Sequence, residues 1–397
     1  MLEILKTYYT EEQKAELEYL CSGDTDLYCR KKNQIRQDAR KAIDLSQISP
    51  VKKSQYNLIL NYIGNQSLLH EIDCIEKEFL PVRKKVSKKE YQDQFQKLFR
   101  LRNQFAKSAG FANYLEYQYM LLGIDAEIVD QILETNRKHQ YSEKSLLREK
   151  IQQWKHTPCF KPENQIELLK KVLDHFHLQI KWEEVQIHNE NLPQFYIGNC
   201  ISINVPDESH VLINQVSGLS GFSILMHEIG HAYYYNNIRQ DSLQWANRPY
   251  NAVIEEFVAL AFENLVYSPQ FLSTFLDSDE DLLLDKLNYQ TNYLCCCALF
   301  EKNIYGKDTP DFDQEWETAC GSFSVSRDKA WRSPHFFVSY PGFFAVDVIA
   351  GCLVKMFYEQ IGINDTVMNN YLQKQICAPG FQLDFYRVIS QLGIGLR

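Results

Sequence analysis

The sequence predicts a mainly α-helical fold with one small β-sheet, and three observations carry that prediction. Glycine (16) and proline (12) are scarce for 397 residues. Long stretches repeat apolar residues at i, i+3 and i+4, the period of one helix face. One region differs: QIHNENLPQFYIGNCISINVPDESHVLINQ (186–215) alternates β-branched with polar residues and is broken by Asn, Pro and Asp, the pattern of two or three short strands, expected as a small antiparallel sheet.

A chain of this length can bury a large core, and an apolar share of 45% with 13% aromatic residues is that of a globular protein. It opens with MLEILKTYYTEEQKAELEYL, charged and amphipathic rather than an export signal with an apolar stretch and a small-residue cleavage site. No run of about twenty apolar residues occurs, so no bilayer span is expected. The expected location is the cytoplasm, with a specialised secretion route left open.

Basic residues cluster in RKKNQIRQDARK (30–41) and RKKVSKKE (83–90). At a net charge of −9 these read as solvated helix faces, and neither a nucleic-acid nor a membrane partner is expected. Phe95, Leu98, Leu101, Phe105 and Ala109 share one helical stripe, which Gly110 ends. Asp125 is placed to cap a helix running to about Trp154, and Asp277 to cap another whose first turn holds Asp279, Glu280 and Asp281. Cys295, Cys296 and Cys297 continue at helical spacing into ALFEKNIY. None of the eleven cysteines forms a CxxC pair, so they read as reduced thiols packed as small apolar groups. No internal repeat or long linker marks a domain boundary.

The chemistry is concentrated in SILMHEIGHAYYY (223–235). On an α-helix, His227 and His231 face the same way and can hold one ion, while Glu228 stands beside them. Zinc held by neutral imidazoles acidifies water, and an adjacent carboxylate can take the proton. Without a metal, two buried imidazoles and a carboxylate would need several polar partners. A catalytic zinc takes a third protein ligand, and NAVIEEFVALAFENL (251–265) offers one. Glu256 follows His231 by 25 positions, and Glu263, two helical turns later, returns to the face of Glu256. Flanking Phe257, Val258, Leu260 and Phe262 leave little of that helix polar.

This combination resembles the thimet oligopeptidase and oligoendopeptidase F family of zinc peptidases, as a short member. The resemblance implies one Zn2+ per chain with His227, His231 and Glu256 as ligands, Glu228 as general base, and Glu263 orienting a ligand histidine. WRSPHFF (331–337) is similar to the family segment whose His and nearby Tyr stabilise the tetrahedral intermediate, which implies catalytic roles for His335 and Tyr340. LRNQFAKSAGFANYLEYQ (101–118) looks like the family's helix before an aromatic Asn-Tyr turn, and HVLINQ (210–215) resembles its strand that pairs with bound peptide backbone. The resemblance covers roughly 95–397. It departs from the family in length, with the shortfall N-terminal, which implies a more open channel. It also departs after His335, where only Tyr340 stands in a stretch rich in family tyrosines, and at IGNC (197–200), which replaces a Gly-Ala-Tyr signature.

The expected architecture is a two-lobed helical zinc-peptidase fold, with an N-terminal helical segment over 1–90, a catalytic region over 91–397, and the small sheet beside the cleft. The expected activity is hydrolysis of peptide bonds in oligopeptides by an endopeptidase, with a peptide as partner. Two alternatives share the motif: a dipeptidyl- or carboxypeptidase of the angiotensin-converting-enzyme-like kind, and a non-catalytic descendant that binds peptides or a partner protein. Cleavage preference and oligomeric state are not written in the sequence.

Overall fold

A computed structural model of the chain describes residues 2–43, 65–137, 144–189, 197–239, 251–326, 331–363, 365–383 and 385–392. Helices dominate. The first are α1 (Leu2–Ser22) and α2 (Thr25–Ala42), where the Asp24 carboxylate caps α2 by accepting from the Leu27 N–H at 2.8 Å. Next comes α3 (Gln66–Val82), tied to α2 by the buried Arg36–Asp73 ion pair and to α1 by Lys77–Glu16 at 2.6 Å. The basic stretch 30–41 is therefore not a merely solvated face. Arg36 is buried because Asp73 offsets the cost of taking its charge out of water.

Helix α4 (Lys88–Ser108) opens on a reciprocal capping box between Ser87 and Glu90. Phe95, Leu98 and Phe105 are buried along its predicted stripe, and the helix ends just before Gly110. Then follow α5 (Tyr114–Leu122), α6 (Ala126–Arg137), α7 (Lys144–Gln152) and α8 (Pro162–His175). Asp125 does begin α6, its carboxylate accepting from the Glu127 N–H at 2.9 Å. The helical stretch stops at Gln152, before Trp154, and residues 138–143 lie outside the described residues.

The sheet comprises β1 (Val185–Asn189), β2 (Gly198–Asn204) and β3 (Glu208–Ile213) in the order β1-β3-β2. It is mixed rather than antiparallel. A short turn folds β3 back along β2, whereas β1 enters beside β3 in the same direction. This corrects a second expectation. With its backbone paired on both sides, the strand of HVLINQ is not open to peptide; the edge strands are β1 and β2, and β2 is the one beside the cavity.

After β3 come α9 (Leu219–Asn236), α10 (Ala252–Leu265) and α11 (Pro269–Leu276), then α12 (Leu283–Tyr305) and α13 (Phe312–Ser322). The described chain continues through the one-turn α14 (Phe336–Ser339), α15 (Phe343–Gln360) and shorter helical pieces over 365–391. Asp277 does not cap α12. It ends α11 in the left-handed conformation (φ 50°), which Asp tolerates better than most residues. Asp281 instead accepts from the Leu283 N–H at 3.2 Å, and Glu280 pairs with Lys150.

Helix α10 packs between α9 and α15, and α15 also packs on α12. Phe222, Leu225, Met226 and Ile229 of α9, Phe257 and Val258 of α10, Val354 and Phe357 of α15, and all three adjacent cysteines of α12 are fully buried. Each large apolar side chain so buried stabilises the fold by about 1.5–3 kcal/mol before entropy. Among the described residues, no helix is long and apolar enough to cross a membrane.

Candidate metal centre

Helices α9 and α10 cross at a glycine. A Cβ at Gly230, in the middle of HEIGH, would lie 2.6 Å from the Ala259 Cα. The missing side chain lets the two backbones approach, so both histidines of α9 face the first carboxylate of α10. His227 Nε2 and His231 Nε2 are 3.2 Å apart, and each lies 3.5 Å from a Glu256 carboxylate oxygen. These three residues offer donor atoms that all lie within 4.8 Å of one another.

Glu263, two turns along α10, accepts from the other nitrogen of His227, Nδ1, at 3.2 Å. Its second oxygen receives Lys286 Nζ at 2.8 Å and Gln290 Nε2 at 3.2 Å, both from α12. Burial pushes the Glu263 pKa up, but Lys286 and His227 outweigh it and hold the group as a carboxylate. That orients the His227 ring with Nδ1 toward Glu263 and Nε2 toward the other donors.

Acidic groups crowd around this point. Burial, with Asp347 and Glu228 nearby, raises Glu256 well above the carboxylate range. Burial and the Glu263 charge together push Glu228 and Asp347 to about 7, against the pull of His227. Glu255 adds a further carboxylate to Glu228, Glu256, Glu263 and Asp347. His227, which burial would lower, is pushed up to about 10 by Glu263, Glu256 and Glu228. The surroundings favour positive charge where the three donor sets converge. Two imidazoles and a carboxylate match the donors of a divalent transition metal, so the residues fit a zinc ion.

Glu228, only 7% exposed, lines the cavity beside the donors. A Cβ at Gly198, the first residue of β2, would fall 2.7 Å from its Oε1 and 2.8 Å from its Cγ. The edge strand can pass over the base only because residue 198 has no side chain. IGNC thus forms the cavity wall next to Glu228, a role the sequence did not reveal.

His335 and Tyr340 line the same cavity of about 650 Å³. The segment around them divides by face: Phe337, Val338 and Phe344 are buried, while His335, Phe336, Tyr340 and Phe343 line the cavity. Burial, aided by Arg83 and Lys84, lowers His335 to about 3, so its ring is neutral. Two buried polar side chains fix this segment, and the sequence did not mark either. Arg102 of α4, with no exposed surface, donates to the carbonyls of Phe337 (2.9 Å) and Val338 and pairs with Glu76 at 2.6 Å. Glu301 of α12 accepts from the Gly342 N–H at 3.0 Å. Asp347 was also missed, although a lone carboxylate in FFAVDVIAGCLV was the available signal.

The mainly helical fold with its small sheet defines a class of architecture, and solved structures that superpose on it carry peptidase names. One assigned to oligoendopeptidase F from Bacillus anthracis superposes with a TM-score of 0.70 at 12% identity, over 98% of this chain and 85% of that one. PZ peptidase A with an inhibitor gives 0.70 at 15%, over 98% and 87%. A Pyrococcus furiosus carboxypeptidase gives 0.65 at 12%, over 98% and 93%. The fold is therefore that of oligoendopeptidase F and related peptidases. No protein-family model matches the chain, and no curated protein matches it in sequence.

Proposed function

We propose that the chain is a zinc-dependent peptidase that hydrolyses peptide bonds in oligopeptides, with His227, His231 and Glu256 holding the metal. The observation that carries this reading is the convergence of those three donors beside Glu228, within a cavity large enough for a small ligand. The names of the structural neighbours support its peptidase part. Bound zinc would supply a Lewis acid that acidifies water and polarises a carbonyl.

The chain's own residues do the rest. Glu228, poised near neutrality, takes a proton from the attacking water and returns it to the leaving amine. Neutral His335 and the Tyr340 hydroxyl donate to the carbonyl oxygen as negative charge develops there. Glu263 keeps the His227 ring oriented throughout. Phe336 and Phe343 give the cavity wall an apolar surface for substrate side chains.

Metal content and turnover separate these roles. The purified protein is expected to hold about one zinc per chain and to cut members of a quenched peptide library. His231→Ala should lose the metal. Glu228→Gln should keep it while losing at least about two orders of magnitude in turnover. Full zinc occupancy in His231→Ala removes the ligand set; near-normal turnover by Glu228→Gln removes the base.

A further inference from the structure

A second cavity, of about 790 Å³, opens where α5, α6 and the end of α12 meet, and it shares no lining residue with the metal cavity. Its size is that of a small-molecule site. Leu115, Met120 and Ile124 give it an apolar wall, and Tyr119, Tyr305 and Tyr386 add aromatic surface.

The charge on this cavity is one-sided. Glu116, Asp125 and Asp130 line it with a single lysine, Lys302, which is already paired with Asp130. Glu116 accepts from the Ala112 N–H at 2.7 Å and Asp125 from the Glu127 N–H at 2.9 Å, each through one oxygen. Neither has an ion-pair partner among the described residues. Capping carboxylates of this kind are common and alone imply no ligand. Tyr119 is different. It lines the same cavity, is only 7% exposed, and its hydroxyl has no hydrogen-bond partner among the described residues. A buried hydroxyl normally has one, and the cavity is the side from which a partner can come. Burial raises its pKa, so the group stays a neutral phenol that can both donate and accept.

We propose that this cavity binds a small aromatic amine in its cationic form, with the ammonium held by Glu116, Asp125 and the Tyr119 hydroxyl and the ring lying on the apolar wall. An ammonium has three donors and no acceptor, which suits two carboxylate oxygens and a phenolic oxygen. Tyrosine faces attract a cation as well as an apolar ring. An anion would meet two carboxylates that have no counter-charge, and Lys302 is engaged by Asp130. A partly enclosed cavity screens the attraction less than bulk water does. The site lies outside the peptidase machinery and does not depend on the activity proposed above.

The test is a calorimetric titration of the full chain with three ligands built on one ring: tryptamine, a cation; tryptophol, its neutral alcohol; and indole-3-propionate, an anion. Tryptamine is expected to bind once per chain, roughly tenfold more tightly than tryptophol, as charged hydrogen bonds imply, and indole-3-propionate more weakly than either. Glu116→Gln combined with Asp125→Asn keeps both capping acceptors and removes both charges. It should lower tryptamine affinity about tenfold or more and bring it level with tryptophol. Tyr119→Phe removes a hydroxyl that has no partner in the fold, and it should lower tryptamine affinity by roughly two- to tenfold. All three substitutions keep the shape of the side chain, so folding is preserved. No saturable binding at millimolar tryptamine overturns the site. Equal affinity for tryptamine and tryptophol in the unmodified chain overturns the cationic class. Wild-type affinity in both the double variant and Tyr119→Phe puts the amine elsewhere on this acidic chain and overturns the location.

Discussion

Glu263 has one carboxylate and three partners: His227 on one oxygen, Lys286 and Gln290 on the other. Lys286 keeps Glu263 charged, and a charged Glu263 holds the His227 ring with Nε2 turned toward the other donors. Glu263→Gln is expected to weaken zinc binding by roughly ten- to a hundredfold without abolishing it, and Lys286→Met to weaken it less in the same direction. A competition titration against a zinc chelator reads both; wild-type affinity in Glu263→Gln would make it an ordinary buried carboxylate. Within this cluster, helical spacing paired His227 with His231 and Glu256 with Glu263, while the joining of the two pairs and the roles of Glu228 and Glu263 came from the family resemblance. Lys286 and Gln290 lie 23 and 27 positions beyond Glu263 on another helix. Nothing in the order of residues says which lysine will arrive there.

At the scale of elements, the site depends on how closely α9 and α10 approach. Gly230 stands where the α10 backbone passes, so its replacement is resisted by main chain rather than by a side chain that can turn away. Gly230→Ala must push the helices apart or shift one along the other, at a cost of about 1–3 kcal/mol. Because the histidines and Glu256 lie on opposite sides of this contact, their donors should separate and zinc affinity should fall together with the melting temperature. A variant that melts lower yet binds zinc as tightly as wild type would show that the donors do not depend on the crossing. The helices themselves were legible from apolar period and end signals, as at Gly110 and Asp125. Strand direction was not, since alternation reports which residues face inward and not which neighbour pairs with them. Asp277 misled for a related reason: a carboxylate that can begin one helix can equally end the one before it.

Across the whole molecule, segments distant in sequence meet through buried polar side chains. Arg102 joins α4 to the His335 segment, and Glu301 joins α12 to Gly342 at the start of α15. These links were invisible in the sequence, where a lone Arg or Glu in a helix reads as a surface residue. Glu301 has a measurable signature. Burial raises its pKa to about 8, and the Gly342 N–H and Arg102 offset that only partly. An unfolded glutamate titrates near 4.3. Between these values the folded chain binds a proton that the unfolded chain has released, so stability should fall as pH rises from about 4.5 toward 8. Glu301→Gln keeps an acceptor for Gly342 and removes the ionisation, and it should therefore flatten this part of the profile. Melting temperatures at pH 5 and pH 8 give the comparison: the difference between Glu301→Gln and wild type should shift in favour of the variant at the higher pH. A difference that does not change with pH would mean that Glu301 is ionised in the fold, and that Arg102 compensates its charge across the α4–α12 junction instead.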